Sequence, residues 1–65
     1  MDVNDKVKAI VAGAITRKEW RSSALNAAKA YATNRRDRAE QKAIEEYVRA
    51  QYDAAGAGYS GRWQG

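Results

Sequence analysis

The chain contains no cysteine and no histidine. The first absence removes disulfides and thiolate chemistry, and the two together remove zinc and haem sites built on soft or imidazole ligands. Proline is missing too, and the stretch AYATNRRDRAEQ, residues 30–41, holds no glycine. Any reversal there must be set without the two strongest punctuating residues. Long apolar runs are also lacking. Nothing approaches the ~20 residues that span a bilayer, and KVKAIVAGAI is too short and too closely flanked by lysines and acids to be a signal sequence. The lack of a spanning run and of a signal sequence points to a soluble, cytoplasmic protein, within a host cell or virion, with no membrane partner, and the missing ligands point to no cofactor.

Bulk is scarce as well. Of 29 apolar residues among 65, 14 are alanine, and the larger aliphatics are Val3, Val7, Ile10, Val11, Ile15, Leu25, Ile44 and Val48. A chain this short buries only about 60% of its unfolded surface, and alanines add little at roughly 25 cal/mol per Å² of apolar burial. Small cores of this kind are helped by disulfides, metal or association. With the first two removed, association with another chain is the remaining aid.

Charge is unevenly spread. The net charge is +4, from 12 basic and 8 acidic residues. Residues 1–16 are neutral overall, residues 17–38 carry +5, residues 39–55 carry −2, and the tail adds Arg62. The positive charge therefore sits in the middle of the chain.

Val3, Val7, Ile10, Val11 and Ala14 recur at the three-and-four spacing of one helix face, which predicts a first helix over residues 3–14 capped by Asp2 or Asn4. Thr16 and Glu19 have the spacing of a capping box, so a second helix is expected over 17–33, with loss of the box through Thr16→Ala costing about 1 kcal/mol. Its apolar face runs through Trp20, Ala24, Leu25, Ala27, Ala28, Tyr31 and Ala32.

If residues 17–54 were one straight helix at about 100° per residue, the face centred on Ala24, Ala28 and Tyr31 would lie roughly opposite the face of Ile44, Tyr47, Val48 and Gln51. Opposed faces cannot pack on the same first helix. The sequence therefore predicts a reversal at TNRRD, with Thr33 or Asn34 capping a third helix over 35–55. Pairs at spacing four lace that helix, Arg36 with Glu40, Glu45 with Arg49 and Arg49 with Asp53. Gly56 is the natural left-handed residue after its end. The expected architecture is all-α, a single helical domain over 1–55 built as a three-helix unit, with a glycine-rich aromatic tail over 56–65. The alternative is a helical hairpin completed by self-association.

Catalysis finds no support in these residues. There is no imidazole base, no thiol, and GAGYSG lacks the lysine and following helix of a phosphate loop. Glu45 and Glu46 are adjacent on a helix, so they diverge by about 100° and cannot share a proton. Trp20, Tyr31, Tyr47 and Tyr52 fall at positions compatible with core or rim packing. Two features remain for partner binding. One is Arg35, Arg36 and Arg38, joined by Arg17, Lys18 and Arg21 if the fold brings them near. The other is the tail, where Tyr59, Arg62 and Trp63 are of the types that anchor interfaces.

The sequence thus supports a non-enzymatic interaction module, an accessory subunit, assembly component or inhibitor of a larger protein with an acidic surface, of the compact kind a bacteriophage encodes. The alternative is a small basic protein that binds nucleic acid through phosphate contacts. A structural homo-oligomer is the third reading.

Overall fold

The first helix begins where an asparagine can cap it. Asn4 is extended at φ −76°, ψ 165°, and its Oδ1 accepts from the Val7 amide at 2.8 Å. In the computed structural model, which describes residues 3–56, α1 spans Asp5–Thr16, α2 Arg21–Ala30 and α3 Arg38–Ala54. No strand occurs among the described residues. The helices run up, down and up. Asn4 ahead of α1 donates to the Tyr31 carbonyl just after α2, and Tyr52 near the end of α3 donates to the Glu19 carbonyl between α1 and α2. α2 is the shared element, packed against both neighbours, while α1 and α3 touch more lightly.

The expected faces meet in one core. Val3, Val7, Val11 and Ala14 face Ala24, Ala28, Ile44, Val48 and Tyr52, all buried, with Ile15, Leu25, Ala32, Ala43 and Tyr47 packed around them. Ile10 lies at the half-buried margin. The two buried alanines of α2 let its backbone approach both neighbours. Tyr52, fully enclosed at 0% exposure, supplies the bulk that they do not. Its hydroxyl donates to the Glu19 carbonyl at 2.9 Å, so the ring is buried without stranding its polar tip. Two aromatic assignments are corrected. Trp20 and Tyr31 are 48% and 45% exposed, because Trp20 precedes α2 and Tyr31 follows it, outside the helical phase that placed them on the core face.

The turn between α1 and α2 also differs from expectation. The capping box does not form, and α1 runs on to Thr16. The Lys18 amide donates to the Ile15 carbonyl at 3.0 Å and the Glu19 amide to the Ala14 carbonyl at 2.9 Å, the paired bonds of a Schellman motif. The Glu19 amide is the donor that the capping box would have used. It serves the end of α1 instead, while the Glu19 carboxylate takes Arg17 Nε at 2.7 Å. Thr16 Oγ1 donates to the Ala12 carbonyl inside α1. α2 then starts at Arg21 behind an extended Trp20 that makes no side-chain cap bond. Gly13 lies inside α1. The Arg17 guanidinium lies over it, 3.0 Å from where a Cβ would stand.

A Schellman turn needs a left-handed residue, and here that residue is Lys18 at φ 58°. Non-glycine residues are strained in that region. At the end of α3 the same position falls to Gly56, φ 65°, as the sequence predicted. Lys18→Gly is expected to raise stability by about 0.5–1 kcal/mol, the relieved strain less the added freedom of the unfolded chain. Thr16→Ala, now an exchange at the last residue of α1, should be close to neutral. Urea unfolding of both variants checks this. A loss of ~1 kcal/mol in Thr16→Ala would restore the capping box.

Candidate interaction site at the basic elbow

The reversal between α2 and α3 falls where the opposed apolar faces required it, but it is built differently. α2 ends at Ala30 and α3 begins at Arg38 with Asp37, not Thr33 or Asn34, as its cap. Asp37 Oδ1 accepts from the Ala39 amide at 2.9 Å and the Glu40 amide at 3.4 Å. Asn34 forms a turn of its own. Its Oδ1 accepts from the Arg36 amide, and its carbonyl accepts from the Asp37 amide, both at 3.0 Å.

Glu40 holds this loop in place. Its side chain is buried, and its two oxygens accept from the Thr33 amide at 2.6 Å and the Asn34 amide at 2.7 Å. It forms no ion pair with Arg36. Short bonds from backbone N–H groups to a carboxylate are the stronger, charge-assisted kind. Glu40 also lies in the first turn of α3, where the helix dipole favours an anion. Asn4 ties the third element in, its Nδ2 donating to the Tyr31 carbonyl at 2.9 Å and to Thr33 Oγ1 at 3.2 Å.

With these backbone groups turned inward, the arginines are turned out. Arg35, Arg36 and Arg38 are exposed, and among the described residues none of them makes an ion pair. Only Arg38 lies inside α3. Asp37 and Glu40 offset the cost of a cation at the positive end of the dipole.

The other basic residues are elsewhere. Arg17 and Lys18 lie in the α1–α2 turn at the opposite end of the bundle, separated from the elbow by the length of α2, ten residues or about 15 Å. Arg17 is engaged with Glu19. Arg21 borders a shallow groove of about 430 Å³ between α2 and α3, with Leu25 and Val48 among lining residues that also include Lys42, Glu45, Glu46 and Arg49. Its lining mixes both signs. The cations therefore do not form one cluster of six. Glu45 pairs with Lys29 of α2 at 2.8 Å, so the expected pairing along α3 gives way to one between helices. Tyr59, Arg62 and Trp63 lie outside the described residues.

No group of three or more Asp or Glu able to hold a metal ion occurs among the described residues, and no helix there is long and apolar enough to cross a membrane. Comparison with known protein families, curated proteins and solved structures finds no match.

Glu40 is not the partner of Arg36 that spacing four predicts. The usable signal was its phase, four residues before Ile44 and eight before Val48 on the buried stripe of α3. Glu40→Ala leaves two amides without an acceptor and is expected to cost about 2–3 kcal/mol, with faster hydrogen exchange at Thr33 and Asn34. Asn4→Asp keeps the Val7 cap but removes both donated bonds, and should cost about 1 kcal/mol. Chemical denaturation with amide exchange on the two variants separates loop closure from helix capping.

Proposed function

We propose that the protein is a non-enzymatic interaction module that docks on the acidic surface of a larger protein through its basic elbow. The observation that carries this reading is that Arg35, Arg36 and Arg38 are exposed and unpaired on a backbone held by Glu40, Asn34 and Asp37. Three cations on a fixed loop and the helix start that follows it lose little conformational freedom in the backbone when a partner binds. Their charge steers encounter and sets register against an acidic patch. In this reading Tyr59, Arg62 and Trp63 of the tail form a second contact, since tyrosine, arginine and tryptophan dominate interface energetics.

The separation of Arg17, Lys18 and Arg21 from the elbow favours a protein partner over nucleic acid. Phosphate binding gains affinity with each counterion released, and the few cations at one end release few.

Charge reversal at the elbow tests the proposal. The double variant Arg35→Glu, Arg36→Glu should keep its helicity by circular dichroism and lose at least about tenfold in affinity for the partner captured by the wild-type chain. Unchanged affinity would remove the elbow from the interface. Duplex and single-stranded DNA titrated over a salt series should show no binding near physiological salt. A steep salt-dependent affinity would favour the nucleic-acid reading instead.

A further inference from the structure

The elbow end of the bundle also carries an aromatic ring that the arginine run does not include. Tyr31, the residue after α2, is half exposed, and Lys6 Nζ stands 5.5 Å from the centre of its ring. Lys6 is brought there by Asn4, whose bonds to the Tyr31 carbonyl and Thr33 Oγ1 lace the first turn of α1 to the end of α2. One end of the molecule thus gathers Lys6, Tyr31, Arg35, Arg36 and Arg38 from three parts of the chain, all exposed. Tyrosine offers a large, rigid contact surface at low cost in side-chain entropy.

We infer that Tyr31 and Lys6 set the specificity of the elbow, and that it takes an acidic peptide segment carrying an apolar side chain. The apolar group packs on the Tyr31 ring while the carboxylates meet Lys6 and the arginines. This inference rests on the elbow being the docking surface. A purely acidic ligand would leave the apolar area of the ring in water. A single strand of nucleic acid could stack a base on the same ring, but Asp5 precedes Lys6 in the first turn of α1 and Asp37 stands between Arg36 and Arg38 at the head of α3, so this end of the bundle carries acids as well. A uniform line of phosphates would meet both acids, whereas a peptide can place uncharged residues opposite them.

Fluorescence anisotropy with the full chain tests it, using three labelled probes: a glutamate-rich peptide with one phenylalanine, the same peptide with alanine in its place, and oligothymidylate. The phenylalanine peptide is expected to bind about fivefold tighter than the alanine peptide. Tyr31→Ala, checked for helicity, should erase that preference without changing the affinity for the alanine peptide. Tyr31→Phe should retain the preference, and Lys6→Glu should weaken binding of both peptides. A preference that survives Tyr31→Ala would overturn the inference, as would oligothymidylate binding more tightly than either peptide through Tyr31. If neither peptide binds the wild-type chain, or if Arg35→Glu with Arg36→Glu leaves their binding unchanged, the docking role of the elbow itself falls. Binding that depends on the arginines and not on Tyr31 overturns only the role given to the ring.

Discussion

A single buried carboxylate makes the reversal of this chain specific. Glu40 accepts from the Thr33 and Asn34 amides while its own backbone begins α3, so one side chain closes the loop onto the helix that follows. Placing a charge out of water costs several kcal/mol unless its bonding capacity is met. Here the two backbone donors and the positive end of α3 meet it. Asn4 extends the same network to α1, so all three helices are tied together at one end by polar contacts rather than by greasy side chains. In a core so rich in alanine, that polar closure does work that larger aliphatics would otherwise do.

The opposite end is closed by a different device. The Schellman turn after α1 presents the Glu19 carbonyl, and the buried Tyr52 hydroxyl of α3 reaches it. Tyr52 adds bulk to the same buried core as Ala24 and Ala28 and anchors the turn in the same act. Small residues on the central helix and one large ring on the last are two halves of one packing solution: the alanines permit close approach, and the tyrosine occupies what close approach leaves open.

This closure also shapes the electrostatics. Backbone amides that turn inward toward Glu40, Asn34 and Asp37 leave Arg35, Arg36 and Arg38 facing solvent. The bundle topology carries Arg17 and Lys18 to the far end and brings Lys6 and Tyr31 to the near one. The positive middle of the sequence is therefore two separate regions in space. The elbow region is defined by contacts between elements distant along the chain.

The sequence by itself determined the helices and the need to reverse. Apolar spacing marked the faces of α1 and α3, and their phase against α2 demanded a break near Asn34, because a helix advances about 100° per residue and opposed faces cannot share one neighbour. Gly56 and Asn4 were legible for the same local reason, since caps are set within a turn of the helix they close. What only the tertiary structure decided is where competing local options were settled. Thr16 and Glu19 could cap the next helix or end the last one, and one amide cannot serve both. Glu40 could pair with Arg36 or turn inward, and the choice depended on amides six and seven residues away that a folded loop alone brings to it. Tyr31 could join the core face or stand in solvent, and the end of α2 placed it beside Lys6. Each outcome turned on a partner distant in sequence or on which of two elements claimed a shared donor, and neither is visible in local spacing.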